Sequence, residues 1–140
     1  MSNCCSGSDK KAGASECCGG SAKKNVLLYA CSGGANVAEI SDRAARELMF
    51  AGCGTMFCLA GLGAGIQGMI QTAKDADLNV VIDGCPMDCA KKIFDNLKLT
   101  NCVQIKCTDL GMEKVKGVRA TDAQVATLVA KAKEVVAANA

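Results

Sequence analysis

The sequence predicts an α/β protein, a small three-layer Rossmann-like fold with a four-stranded parallel sheet. Three observations carry that expectation. Short apolar runs of strand length alternate four times with stretches whose apolar residues recur at helical spacing. Such βα units, joined by right-handed crossovers, give a parallel sheet with helices on both faces. The chain has 140 residues, half of them hydrophobic, which suits one ordinary domain. With aromatics at 3%, its core must come from Val, Ile, Leu, Met and Ala.

The elements follow in order. Residues 1–24 are polar and rich in Ser, Gly, Ala and Lys, and read as a flexible tail holding the pairs Cys4-Cys5 and Cys17-Cys18. The folded domain is expected over 25–140. Val26-Leu27-Leu28-Tyr29-Ala30 reads as a buried strand closed by Cys31-Ser32-Gly33-Gly34. From Asn36 to Phe50, Val37, Ile40, Ala44 and Leu48 mark a buried helical face opposite Glu39, Asp42, Arg43, Arg46 and Glu47. A weaker strand covers Thr55 to Cys58, and Gly61, Gly63 and Gly65 lead into a helix carrying Ile66, Met69, Ile70 and Ala73.

The third strand, Leu78 to Ile82, stops at Asp83-Gly84-Cys85. Pro86 is expected in the first turn of the next helix, where a missing N–H costs nothing. Ala90, Ile93, Phe94 and Leu97 would be its buried face. Cys102 to Cys107 reads as a fourth strand, followed by a loop through Thr108-Asp109-Leu110-Gly111. Thr121-Asp122-Ala123-Gln124 matches a capping box opening a last helix that buries Val125, Leu128, Val129 and Val135 or Val136.

A net charge of +2, with no block of like charge, gives no nucleic-acid footprint. No apolar stretch reaches the roughly 18 residues of a membrane span, and the N-terminus lacks a signal-peptide pattern. Residence in the cytoplasm is therefore expected, where thiols stay reduced. Against that background the composition has one dominant feature: 11 cysteines and no histidine. An odd, high cysteine count in a reducing compartment points to metal binding or thiol chemistry rather than a disulfide scaffold. The missing histidine leaves thiolates, helped at most by a carboxylate, as metal ligands.

Cys31, Cys58 and Cys85 share one expected address, the end of a strand just before a helix. In a parallel sheet those ends lie along the edge where open α/β folds bind ligands. Cys89, four residues after Cys85, falls near the start of the following helix and can face back. Four sulfurs from three strand ends would suit a thiophilic metal, with tetrahedral zinc the leading candidate. Helix N-termini favour thiolates through their N–H groups and dipoles, and Lys91 and Lys92 would offset part of the negative charge. Cys107 also ends a strand and reads as a bystander. Cys53 and Cys102 read as packing or surface thiols. The tail pairs are suited to chelating Cu(I), zinc or trivalent arsenic.

Asp83-Gly84-Cys85-Pro86-Met87-Asp88-Cys89-Ala90-Lys91-Lys92 resembles the signature of the DGC-domain family, described as zinc-binding. Cys31-Ser32-Gly33, the run Met56 to Gly65, and Thr108-Asp109-Leu110-Gly111 resemble the same family. The resemblance extends from about Asn25 to the C-terminus and implies four chelating cysteines, matching Cys31, Cys58, Cys85 and Cys89.

A thiol enzyme is the alternative, in redox or sulfur transfer, with Cys85 as nucleophile and Cys89 as resolving thiol. Phosphatase-like chemistry at Cys31 is excluded. The phosphate loop of small tyrosine phosphatases needs an arginine six residues after the nucleophile, and that position is Val37.

Overall fold

The computed structural model describes residues 24–139, and the expected tail with its paired cysteines lies outside these residues apart from Lys24. The sheet contains β1 (Val26–Ala30), β2 (Thr55–Met56), β3 (Leu78–Asp83) and β4 (Cys102–Lys106). Its order is β2-β1-β3-β4 and every pairing is parallel. The helices are α1 (Asn36–Phe50), α2 (Leu59–Gly63), α3 (Gln67–Asp75), α4 (Cys89–Asn96) and α5 (Asp122–Asn139), with a 3-10 turn at Cys107–Leu110. This is the Rossmann-like three-layer arrangement the alternating pattern predicts.

The two faces of the sheet build separate cores. Side chains alternate across a strand, so Val26 and Leu28 face one way while Leu27 and Tyr29 face the other. The first face, with Val80, Ile82 and Ile105, is covered by Val37, Ile40, Ala44 and Leu48 of α1 and by Val125, Leu128, Ala132 and Val136 of α5. The second, with Val81, is covered by Leu62, Ile70, Ala73, Ala90 and Phe94 from α2, α3 and α4. β1 and β3 therefore lie between two helical layers, which is why they read as continuous apolar runs. Tyr29 is fully buried and meets Phe57 and Phe94 edge-to-face, with ring centroids 5.9 and 4.9 Å away.

Several boundaries differ from the expectation. β2 stops at Met56, so Phe57 and Cys58 lie beyond it and Cys58 is the N-cap of α2. The helix expected after Gly65 is α3, but the glycine run before it forms a further short helix, α2, and Ile66 is half-exposed at the N-cap of α3. Gly65, in the left-handed conformation (φ 73°), separates α2 from α3, and Gly61 gives the Met69 side chain of α3 room to pack against α2. Pro86 sits in a turn before α4 instead of in its first turn, and Asp88 takes the left-handed conformation as N-cap (φ 52°). Ile93 and Leu97 are half-buried rather than core residues. Cys107 opens the 3-10 turn in place of the loop expected through Gly111.

The capping box is formed as expected. The Gln124 N–H donates to Thr121 Oγ1 at 3.2 Å, and the Thr121 N–H donates to Gln124 Oε1 at 3.0 Å. Among the described residues, no helix is long and apolar enough to cross a membrane.

Candidate functional site

Four cysteines lie just past the C-terminal ends of the four strands: Cys58 beyond β2, Cys31 beyond β1, Cys85 beyond β3 and Cys107 beyond β4. Each comes one or two residues after its strand rather than as its last residue. The chain runs from β1 to the edge strand β2, then returns to the other side of β1 with β3, so the order reverses between β1 and β3. Ligand crevices form outside strand ends at such a reversal. A cavity of about 400 Å³ lies at this place, lined by Cys31, Cys85 and Cys89 together with the Ser32–Ala35 loop, Met87 and Lys114. Cys58 is exposed and is not part of that lining.

Cys85 and Cys89 are held there by the residues around them. The Asp83 carboxylate is buried and accepts three hydrogen bonds: Oδ1 from the Ala90 N–H (2.8 Å), and Oδ2 from the Lys91 N–H (3.0 Å) and Gln104 Nε2 (2.9 Å). It thus satisfies two N–H groups at the start of α4, a helix whose N-cap residue makes no side-chain cap. Asp88 is turned away to Lys106 Nζ and Gln104 Nε2, each 2.8 Å distant, and the Lys106 ammonium holds its carboxyl below the usual range. Gly84 lies against α1, where a Cβ would stand 2.9 Å from Val37 Cγ2 and 3.0 Å from the Val37 carbonyl carbon. The three residues of the signature therefore divide the work: Asp83 caps α4, Gly84 lets β3 approach α1, and Cys85 lines the cavity.

The sulfurs differ in surroundings. Cys31 Sγ accepts the Gly84 N–H at 3.1 Å and lies 3.8 Å from Ser41 Oγ. Burial pushes its thiol pKa up, and these two contacts partly oppose that shift. Cys85 is half-buried and receives the Lys114 ammonium at 3.3 Å. Cys89 is exposed at the first position of α4. Cys107 is fully buried outside the cavity lining, with Ser41 Oγ at 3.4 Å and the Val37 carbonyl at 3.6 Å, and burial pushes its thiol up to about 11.

The charges expected from Lys91 and Lys92 are supplied by other residues. Lys91 pairs with Asp95, and neither lysine lines the cavity. Lys114 and Lys116 line it instead. Asn36 fixes their segment: its Nδ2 donates to the Glu113 carbonyl (2.9 Å), and its Oδ1 accepts the Val115 N–H (2.7 Å). Gly117 N–H to Gly34 O (3.1 Å) and an antiparallel bridge between Ala35 and Lys116 complete the clamp. The sequence carried one signal for this, the alternation Lys114-Val115-Lys116, which places both ammoniums on one side of an extended segment.

The donor chemistry suits a thiophilic ion, since three cysteines and no histidine line one cavity. As placed, no three His, Cys, Asp or Glu side chains among the described residues form a metal-holding group. Cys31, Cys85 and Cys89 are the residues that would hold a metal, and an ion would have to draw them together.

Fold and site together define an α/β domain with a cysteine-lined crevice at the switch point of a parallel sheet. The chain belongs to the DGC domain family, whose model matches residues 27–132. It is 30% identical over 83 residues to the anaerobic and virulence modulator AnvM of Pseudomonas aeruginosa. That match covers 59% of this chain and 63% of the relative, so the chain spans less than two thirds of the relative's length. No solved structure matches it.

Proposed function

We propose that this domain binds a thiophilic metal ion, zinc being the ion expected for the family, through cysteine thiolates at the C-terminal edge of the sheet. The observation that supports the reading is that Cys31, Cys85 and Cys89, from two strand ends and one helix start, line a single cavity. Thiolates, not thiols, bind metals. Two of these sulfurs already receive a donor, the Gly84 N–H or the Lys114 ammonium. Cys58 belongs to the expected set of four and stands on the same edge, so it would join only by moving toward the cavity. A reducing compartment such as the cytoplasm would keep the set available. The name of the Pseudomonas relative speaks of anaerobic modulation, a setting in which thiols persist.

The test is elemental analysis of the full chain purified anaerobically under reducing conditions, beside Cys85→Ser, Cys89→Ser and a variant with Cys4, Cys5, Cys17 and Cys18 all serine. The expected result is about one thiophilic ion per chain, lost in the Cys85 and Cys89 variants and kept in the tail variant. A metal-free wild-type protein, or metal that follows the tail alone, overturns the proposal.

The contact between Lys114 and Cys85 also favours a second reading, thiol redox or sulfur transfer with Cys85 as nucleophile and Cys89 as resolving thiol. Under that reading the metal-free protein has a Cys85 that alkylates faster near neutral pH than Cys102.

A further inference from the structure

We propose that the cavity is a substrate site for a sulfur-donating oxyanion of the thiosulfonate class, thiosulfate being the simplest. Cys85 accepts the sulfur, and Lys116 and the backbone of Ser32–Gly34 hold the oxyanion. The inference rests on the thiol reading of Cys85 given above and names the substrate class that reading leaves open.

The first argument is the sign of the charge. Two carboxylates line the cavity, and both are satisfied within the protein. Asp83 accepts three hydrogen bonds, and Asp88 is held by Lys106 and Gln104. Lys114 and Lys116 line the same cavity, and neither has a carboxylate partner among the described residues. Lys114 reaches Cys85 Sγ, which leaves the Lys116 ammonium for a ligand. A cavity of that polarity favours an anion.

The second argument is bare backbone. The loop from β1 enters the 15-residue α1 at Ala35, an N-cap that makes no side-chain cap. The N–H groups of Ser32, Gly33 and Gly34 donate no hydrogen bond among the described residues. The fold itself demands neither glycine. Both avoid the left-handed region; a Cβ on Gly34 would meet nothing within 4 Å, and one on Gly33 only Ala38 Cβ at 3.9 Å. Their missing side chains instead leave main-chain donors open to the cavity they line. Donors of that kind at a helix start suit an oxyanion.

The third argument is the reaction the lining supports. The chain has no histidine and both carboxylates are committed, so the cavity lacks a general acid suited to neutral pH. Thiosulfate needs none, because its leaving group departs without a proton. The Cys85 thiolate attacks the outer sulfur and a new S–S bond forms. The S–S bond of thiosulfate breaks, and its electron pair leaves on sulfite. The products are the Cys85 persulfide anion and sulfite, so charge and atoms balance. A thiolate approaching a dianion meets repulsion, which the two ammoniums offset. Cys31 is the poorer acceptor, since its sulfur is engaged by the Gly84 N–H.

The test uses the full chain with Cys4, Cys5, Cys17 and Cys18 replaced by serine in every sample, so that the tail cannot contribute. The protein is reduced, freed of metal by a chelator and assayed anaerobically with thiosulfate as donor and cyanide as acceptor. Turnover is read as sulfite and thiocyanate, the persulfide by mass spectrometry at Cys85, and the fold by circular dichroism. Sulfate, an oxyanion with no outer sulfur to give, is expected to compete with thiosulfate. Lys116→Gln and Gly34→Val are each expected to raise KM for thiosulfate at least about tenfold with kcat little changed. Lys92→Gln, outside the cavity lining, is expected to change neither constant. An unchanged KM in Lys116→Gln or in folded Gly34→Val, or no competition by sulfate, overturns the assignment. A Cys85 that takes sulfur from inorganic polysulfide but not from thiosulfate does so as well, yet leaves the thiol reading standing. A Cys85 that takes sulfur from neither donor removes both.

Discussion

Gly84 and Cys107 show how tightly the cavity is tied to α1. At Gly84 the added methyl of alanine has nowhere to go, because Val37 Cγ2 and the Val37 carbonyl carbon stand 2.9 and 3.0 Å from an ideal Cβ. Gly84→Ala should lower stability by about 1–3 kcal/mol through overpacking, read as a fall in the urea midpoint at unchanged m-value. Cys107 gives a pH signature. Its thiol titrates at 9.0 when unperturbed and at about 11 in the folded protein, because burial disfavours the thiolate. The folded state therefore binds the proton more tightly than the unfolded chain does. The stabilisation is fully present below about pH 9 and is lost as pH rises through 11, with an amplitude on the order of 2 kcal/mol. Chemical denaturation between pH 8 and 11 should show this fall in wild type and a shallower one in Cys107→Ala. At this scale the sequence revealed which residues carry sulfur, but not that Ser41 stands between Cys31 and Cys107. That contact needs α1 laid across the strand ends.

Among the elements, α4 is the instructive one. Its apolar spacing made it visible, but its start was misplaced. Pro86 is a common first-turn residue, whereas here it belongs to a turn and the helix opens at Cys89. The reason is the remote cap. The carboxylate that satisfies the first N–H groups comes from Asp83, at the end of β3, and not from Asp88 next to the helix. Asp83→Ala should therefore cost about 2–3 kcal/mol, as expected when buried charge-assisted hydrogen bonds are removed. Hydrogen exchange should show the loss of protection concentrated at Ala90 and Lys91. α5 is the contrasting case, because its cap is local. Thr121 and Gln124 lie three residues apart and serve each other, so the motif was legible without tertiary information. Thr121→Ala should lower stability by about 1 kcal/mol in thermal or urea unfolding.

Across the whole molecule, stability should be uneven in a pattern set by the sheet. β1 and β3 are central, apolar on both faces and paired over five positions. β2 is a two-residue edge strand followed by two short helices broken at Gly65. Native-state hydrogen exchange should find β1 and β3 amides opening only with global unfolding, while the segment from Thr55 to Ile66 exchanges through local opening at lower free energy. Equal protection in the two regions would contradict the layered account. Cys58 lies in that segment, outside the cavity lining.

The sequence by itself determined the α/β class, the alternation of strands with helices, the extent of α1 and the family. All of these follow from periodicity, turn residues and a contiguous signature, each encoded over a few neighbouring positions. It also placed Cys31, Cys58, Cys85 and Cys107 at the ends of parallel strands, because alternation of strands and helices implies the edge they share. Only the tertiary structure decided which of them line the cavity. Strand order is not written in local pattern, and the order β2-β1-β3-β4 sets Cys31 beside Cys85 while carrying Cys58 to the outer strand. The source of the positive charge was decided in the same way. Lys91 and Lys92 are near in sequence, yet Lys91 pairs with Asp95 along its helix. Lys114, nearly thirty residues from Cys85, reaches the sulfur because Asn36 folds its segment back across the cavity. Side chains that act together are brought together by packing, and packing distance is not sequence distance.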